Sequence, residues 1–250
     1  MKIRILGCGG SFGSPLAWMK SGNIDINNPN NFRTRSSVLI SEGNTNILID
    51  TSPDLRDQLY KAKCTNIDAV LFTHEHSDHV AGLPDMRAIS LINKKIIPAY
   101  FPKRIKEKIS NNYKYIFQGD KDYLPFMKSI DLISNFNINN IKVETFEHNH
   151  GSINVQTFKI GKFAYSTDVK YFYKNDLDKL KNLDLWIVGL LRKDPHPSHA
   201  GFDQVIDYIN YIKPKKTIFT HMTALLDEKE LLSKCPKNVF PGIDGMEVEI

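Results

Sequence analysis

The six residues His74-Glu75-His76-Ser77-Asp78-His79 hold three histidines and an aspartate that can bind a metal ion. Imidazole and carboxylate ligands suit zinc, and also manganese where oxygen ligands predominate. A His-x-His pair followed by Asp-His offers more donors than one tetrahedral ion needs. The motif therefore predicts a site for two divalent metal ions; the alternative is a solvated loop that happens to be rich in histidine.

A short apolar segment, Ala69-Val70-Leu71-Phe72, comes directly before this motif. Its length and its polar flanks predict a buried strand. The candidate ligands therefore begin where a strand ends, at a place where a rigid scaffold can direct short side chains into a cleft.

Three further candidate ligands also lie next to predicted strands. His150 precedes one strand, and Asp168 and His221 each follow one. They can therefore converge on one edge of a sheet, although Asp168 alone also suits a turn or helix cap and His221 alone suits an ordinary, partly buried position. One ligand is expected from His148-Asn149-His150, and His150 is favoured because the following Gly151 lets the backbone approach closely.

Composition limits the class of protein. The chain has 250 residues, of which 41% are hydrophobic, enough for the core of one large domain over residues 1–250. No apolar segment approaches the about 20 residues of a membrane span, and we expect no signal peptide because charges interrupt the first seven residues. Three widely spaced cysteines favour a reducing cytoplasm over a disulfide framework.

The net charge of +5 comes largely from residues 94–128, which contain nine lysines and arginines against three acids. This segment is either a patch for a phosphate-bearing partner or a solvated helix face, and we favour the second interpretation.

Strands and helices alternate in both halves of the sequence. Helices are predicted from Ser52 as N-cap with Pro53 at the first helical position, over residues 86–92, and over 202–212, where apolar residues recur at helical spacing. Residues 21–31 predict a long loop. Strands are predicted near residues 38–40, 46–49, 69–72, 142–145, 153–160, 162–166, 184–188 and 217–219. The pattern predicts an α/β (α+β) fold with two sheets covered by helices.

Together these motifs resemble the metallo-β-lactamase superfamily, whose ligands occur in the order HxHxDH, His, Asp, His. Within it the sequence is most similar to the phosphodiesterase branch, the phosphoribosyl 1,2-cyclic phosphate phosphodiesterases and the related ribonuclease Z. The segments that carry this resemblance are residues 6–15, 28–37, 165–168, 196–199, 220–222 and 242–247.

The resemblance implies a four-layer αββα sandwich, the two ions as cofactors, and a residue set. One ion would be held by His74, His76 and His150, the other by Asp78, His79 and His221, with Asp168 between them. Asp78 and His199 are the catalytic candidates, since His199 matches a histidine that contacts the scissile phosphate or assists the leaving group.

The implied reaction is hydrolysis of a phosphodiester, a small cyclic sugar phosphate, by a hydroxide shared between the ions. The alternatives are a ribonuclease Z-type nuclease, a thioester or lactone hydrolase, and a non-catalytic metal-binding sensor. Nucleic acid is thus the less favoured partner, no membrane is expected, and a homodimer is left open.

Several positions depart from the family or keep two interpretations. No cysteine lies in residues 15–36, so the structural zinc of some members is not expected, and Gly189 and Ala224 stand where relatives often have an acid and a histidine. Asp50 suits either an acceptor for a metal-bound imidazole or a turn acid. Arg33 and Arg35 are weaker candidates for binding a substrate phosphate.

Overall fold

Apolar side chains alternate along the central strands and divide the interior into two cores. In residues 45–49, Ile47 and Ile49 pack between the two sheets. Leu48 points the other way and packs under helices. This period of two is what a strand imposes when both of its faces are covered.

The computed structural model describes residues 1–16 and 24–250. The strands are β1 (Lys2–Gly7), β2 (Ser37–Glu42), β3 (Thr45–Ile49), β4 (Ala69–Leu71), β5 (Ile97–Phe101), β6 (Met127–Asp131), β7 (Asn135–Ile138), β8 (Ile141–His150), β9 (Ile153–Ile160), β10 (Phe163–Ser166), β11 (Leu185–Gly189), β12 (Lys216–Thr220), β13 (Val239–Pro241) and β14 (Glu247–Glu249). The helices are α1 (Leu55–Ala62), α2 (Ser77–Val80), α3 (Met86–Asn93), α4 (Lys103–Asn112), α5 (Lys114–Phe117), α6 (Lys174–Leu177), α7 (Phe202–Ile212) and α8 (Glu228–Lys234).

Within the described residues these strands form two seven-stranded sheets. The first has the order β14-β1-β2-β3-β4-β5-β6, and the second has the order β13-β12-β11-β10-β9-β8-β7. Side chains of α1, α3 and α4 pack on the outer face of the first sheet. Val205, Ile209 and Ile212 of α7 pack against the second sheet. The predicted αββα order of layers is therefore confirmed, while one domain over residues 1–250 stays a prediction.

The helix predicted from Ser52 begins later than expected. Helix α1 starts at Leu55 with Asp54 at its N-cap, and Ser52 Oγ accepts a hydrogen bond from Asp54 N instead. The cause lies in the preceding residue, because Thr51 N donates to His79 O and Thr51 O accepts from Gly82 N. These bonds keep the chain non-helical through residues 51–53 and attach it to the segment that carries the candidate ligands.

The predicted loop over residues 21–31 is described only in part. Residues 21–23 lie outside the described residues, and Pro29–Asn31 form one turn of 3₁₀ helix. No helix in the described residues is long and apolar enough to cross a membrane.

Parallel pairing brings the candidate ligands to one edge of the two sheets. In the first sheet β3 pairs in parallel with β4, and in the second β10, β11 and β12 are parallel neighbours. Asp50, the HxHxDH motif, Asp168 and His221 each follow the carboxyl end of one of these strands. At the end of β11, a Cβ on Gly189 would lie 2.8 Å from Asp168 N, so an acid at this position requires a shifted backbone.

Candidate metal centre

The seven predicted ligands lie together at this edge, in two groups of three with one aspartate between them. Ligand atoms within 4.8 Å of one another define the groups His74/His76/His150 and Asp78/His79/His221. These are the two sets that the resemblance implies. All of these residues except His76 are buried.

Asp168 lies between the two groups. Its Oδ2 is 3.0 Å from His79 Nε2 and 3.8 Å from His74 Nε2, and its Oδ1 is 3.2 Å from His221 Nε2. One carboxylate therefore faces a histidine of each group, which is the arrangement that a shared ligand requires.

The buried Asp50 decides the orientation of His79. Its Oδ2 lies 2.7 Å from His79 Nδ1, and it also accepts hydrogen bonds from Thr73 N and Thr73 Oγ1, both at 2.8 Å. Because a carboxylate only accepts, His79 donates from Nδ1, and Nε2 is the ring atom that faces the cluster. Of the two interpretations of Asp50, the structure supports the acceptor for an imidazole.

Two more histidines are oriented in the same way. Thr73 Oγ1 donates to Asp50, so His74 Nδ1, 3.0 Å away, donates to that hydroxyl. His150 Nδ1 donates to the carbonyl of Ser198 at 2.8 Å. Thus His74, His79 and His150 are each held through Nδ1, which leaves Nε2 as the ring atom that can bind a metal ion.

Charge in this cluster is unbalanced. Burial acts to raise the pKa of Asp168, but His221 and His79 outweigh it and hold that pKa well below its usual value. Burial likewise acts to lower the pKa of His79, but Asp78, Asp50 and Asp168 outweigh it and raise that pKa well above normal. The carboxylates therefore draw positive charge into the site, and no lysine or arginine of the described residues pairs with them.

These observations fit divalent cations. The Nε2 atoms of His74 and His79 are buried without a hydrogen-bond partner in the described part of the chain, and such atoms are costly unless something binds them. Ionised carboxylates buried beside them need a cation for the same reason. The donor set thus suits metal ions, and the binding of ions by these seven residues stays a prediction.

Backbone conformation at the site is strained. Asp50, Asp168 and His221 have φ angles of 60°, 53° and 58°. Left-handed conformations are uncommon in residues other than glycine and persist where the surrounding structure fixes them. Each of these residues turns the chain sharply after a strand, which directs its side chain into the cluster.

The two remaining histidine candidates, His148 and His199, lie around the centre. Both ring nitrogens of His148 are hydrogen-bonded, to Thr157 Oγ1 and Thr167 O, which leaves His150 as the ligand candidate of that pair. His199 Nε2 is 3.7 Å from Asp168 Oδ1. His150, Asp168 and His199 form a further group that can hold a metal ion, a possibility that the sequence did not suggest.

The two arginines are committed elsewhere. Arg33 is buried, and its guanidinium donates to Thr223 O and Asn31 Oδ1. Arg35 pairs with Asp54 at 3.0 Å. The buried guanidinium of Arg33 is therefore not available as a phosphate ligand, whereas only Nε of Arg35 is shown to be paired.

Comparison with known proteins gives the family. The family model described as a beta-lactamase superfamily domain matches residues 45–222, which is more than half of the chain and includes all seven candidate ligands. The chain belongs to the metallo-β-lactamase superfamily. The predicted resemblance to that superfamily is confirmed.

Individual members of the superfamily show how far the likeness extends. A diphosphatase from the PhnP family superposes with a TM-score of 0.93 and 26% identity, over 100% of this chain and 97% of that structure. A ribonuclease Z of Clostridium kluyveri is 30% identical over 73% of this chain and 54% of its own length. An octanoyltransferase of Porphyromonas gingivalis is 32% identical over 100% of this chain and 52% of that protein.

This metallo-β-lactamase superfamily chain spans about half the length of these two curated relatives. The octanoyltransferase is about twice as long as this chain, so the activity in its name is not assigned to this chain. Hydrolysis of a substrate, the predicted class of reaction, agrees with the diphosphatase that shares the fold over its whole length.

Replacing Asp50 tests the orientation of His79. Asp50→Asn is expected to weaken metal binding by about 10- to 100-fold, as loss of a partner that orients a ligand imidazole usually does. An amide keeps the shape but offers one acceptor oxygen where three donors converge. Competition titration of metal-free protein with a chromophoric chelator measures the change, with the exposed Asp207→Asn on α7 as control. Unchanged affinity in Asp50→Asn would contradict this role.

Proposed function

We propose that this chain is a dinuclear metal-dependent phosphodiesterase that hydrolyses a small phosphodiester, namely a cyclic sugar phosphate. One observation carries the proposal: two groups of three ligand candidates lie on either side of Asp168. Hydrogen bonds to Nδ1 of His74, His79 and His150 leave Nε2 of each ring as the atom that can bind an ion.

The donor chemistry of the two groups indicates which ions suit them. The group of His74, His76 and His150 is built from imidazoles alone and suits zinc. Asp78 and Asp168 supply two carboxylates to the other group, which therefore also suits manganese. When bound, a pair of divalent ions lowers the pKa of coordinated water and neutralises the oxygens of a phosphodiester.

His199 is the candidate that would act on the substrate directly. Burial, opposed in part by Asp168, lowers the pKa of His199 to about 3. The neutral imidazole is thus the form favoured in this environment, and it can donate one hydrogen bond to a phosphate or leaving-group oxygen. A neutral ring donates a hydrogen bond without giving up its proton, whereas an imidazolium acid would place a second positive charge beside the ions.

Cations near His199 favour an anionic substrate. Lys170 Nζ donates to His196 O, and Arg192 donates to the carbonyls of Asp194 and Pro195. Neither cation has a carboxylate partner among residues 1–16 and 24–250. Their positive charge is therefore not neutralised by the protein, and it attracts a phosphate toward the centre.

The activity is tested with purified protein that has been stripped of metal and reloaded with zinc or manganese. We expect hydrolysis of an activated aryl phosphodiester and of cyclic sugar phosphates, and much weaker cleavage of a thioester or a lactone. If the reloaded protein hydrolyses no phosphodiester in this panel, the proposal is wrong. Preferential cleavage of the thioester or lactone would assign the centre to another class of hydrolase.

The second candidate function is a ribonuclease Z-type nuclease, favoured by the relative from Clostridium kluyveri. Such activity usually depends on a protruding arm that grips the RNA. In this chain the basic segment forms β5, α4, α5 and β6, and Ile105, Ile109 and Ile116 are buried in the core. The segment is thus part of the helical layer, which favours the small substrate; RNA affinity that falls steeply with salt would favour the nuclease.

A further inference from the structure

Arg104, near the start of α4, joins two segments that carry candidate ligands. Its Nη1 donates to both carboxylate oxygens of Glu75, at 3.0 and 2.8 Å. Its Nη2 donates to the backbone carbonyl of Asn154. Although the side chain is partly exposed, three charge-assisted hydrogen bonds make this contact stronger than an ordinary surface ion pair.

Both partners of Arg104 lie next to ligands of the same group. Glu75 stands between His74 and His76 in the HxHxDH motif. Asn154 lies on β9, and its neighbour Ile153 is paired across the strands with His150. The guanidinium therefore spans the gap between the first sheet, which supplies two of these histidines, and the second sheet, which supplies the third.

His76 has the greatest need of such support. The rings of His74 and His150 are each held by a hydrogen bond to Thr73 Oγ1 or Ser198 O. His76 is exposed, and no hydrogen bond to its ring is found in the described ranges 1–16 and 24–250. Apart from edge contacts with the rings of His74 and His150, the position of its ring depends on the backbone at residues 75 and 76, which Arg104 anchors through Glu75.

The far end of the contact is itself rigid. Asn154 Oδ1 accepts a hydrogen bond from Tyr173 Oη at 2.8 Å, and Asn154 Nδ2 donates to Glu147 at 2.9 Å. The same two segments also share one backbone bond, from Gln156 N to Thr73 O at 3.1 Å. Loss of Arg104 would thus loosen the His74–His76 segment without separating the sheets.

We propose that Arg104 is a positioning residue that holds His74 and His76 against His150 and thereby sets the metal affinity of that group. The inference rests on the proposed metal centre but not on the identity of the substrate. The direction in which metal affinity changes when Arg104 is removed distinguishes positioning from simple electrostatics. Because a positive charge repels a metal cation, Coulomb's law alone predicts that removing Arg104 strengthens metal binding, whereas loss of positioning weakens it.

The experiment titrates metal-free protein with zinc against a chromophoric chelator and with cobalt(II), whose absorption spectrum reports the geometry of its ligands. The variants are Arg104→Met, Arg104→Lys, Glu75→Gln and the double variant Arg104→Met/Glu75→Gln, which leaves the net charge unchanged. Lys103→Met is the matched control, since it removes a cation from the preceding residue of the same helix and has no ion-pair partner in the described chain.

We expect Arg104→Met to weaken one of the two metal-binding steps by about tenfold and to change the cobalt spectrum of that step. Tenfold is the lower end of the loss usually seen when a residue that orients a metal ligand is removed. The double variant should lose no more than the larger single loss, because both substitutions break one contact. Lys103→Met should bind metal as the parent does. Equal or tighter binding by Arg104→Met and Arg104→Lys would overturn the inference, and so would additive losses in the double variant.

The readout keeps this inference apart from the proposed function. If the parent protein binds two ions but cleaves no phosphodiester, the function is wrong and the affinities still test Arg104. If thermal unfolding shows that Arg104→Met does not fold, the comparison is made with Arg104→Lys, which keeps the charge but lacks the planar fork that places one nitrogen on Glu75 and another on Asn154 O.

Discussion

Asp168→Asn is expected to lower kcat for an activated aryl phosphodiester by about 10³-fold or more, since a two-metal centre contributes several kcal/mol to the barrier. The physical reason is the position of its two oxygens, 3.0 Å from His79 Nε2 and 3.2 Å from His221 Nε2. An asparagine removes the charge and replaces one of these oxygens by an amide that cannot bind a cation. Steady-state kinetics and metal analysis by mass spectrometry measure the loss of turnover and of bound ion.

The control for this substitution is Asp207→Asn, at an exposed position on α7. It should leave kcat and metal content unchanged, and both variants should keep the far-ultraviolet circular dichroism of the parent. Full turnover in a folded Asp168→Asn protein would contradict a shared carboxylate. Normal metal content in a parent protein without turnover on any ester would instead favour the non-catalytic sensor.

The sequence indicated where the candidate ligands lie because one short segment combines two independent signals. The apolar residues 69–72 indicate a strand, and the donors after it indicate where that strand ends. Asp168 and His221 repeat this combination, and parallel pairing carries their strand ends to the same edge.

The residues that orient the ligands could not be predicted in the same way. Thr73 is one hydroxyl residue among many, and the role of Ser198 depends on its backbone carbonyl. Asp50 allowed two interpretations, and only its left-handed φ and its approach to His79 separate them. Such roles arise from distances between segments that are remote in sequence, which composition and periodicity do not encode.

Two further differences have the same origin. The segment at Ser52 has a good capping sequence, but two tertiary hydrogen bonds, from Thr51 N to His79 O and from Gly82 N to Thr51 O, outweigh that local preference, and the helix begins only at Leu55. Arg104 belongs to a basic run that is typical of a solvated helix. Its contacts with Glu75 and Asn154 depend on how α4 packs against the edge of both sheets.

His199→Ala is expected to lower kcat by about 10²- to 10⁴-fold, the range for loss of a positioned proton donor, while both ions are retained. The ring of His199 lies 4.6 Å from that of His150, measured between centroids, so a donor at this place would lie beside a phosphate bound at the proposed metal centre. The neighbouring His196→Ala is the control, because His196 Nδ1 is hydrogen-bonded to Ser198 Oγ within its own loop.

A comparison of substrates with different leaving groups shows which oxygen accepts the hydrogen bond from His199. If His199 donates its hydrogen bond to the departing oxygen, His199→Ala should slow an alkyl phosphodiester far more than an aryl diester, because an aryl oxide leaves without such help. If it donates a hydrogen bond to a non-bridging phosphate oxygen, both substrates should slow by the same factor. Loss of one ion along with turnover would contradict both roles and make His199 a metal ligand with His150 and Asp168, whose ligand atoms lie within 4.8 Å of one another.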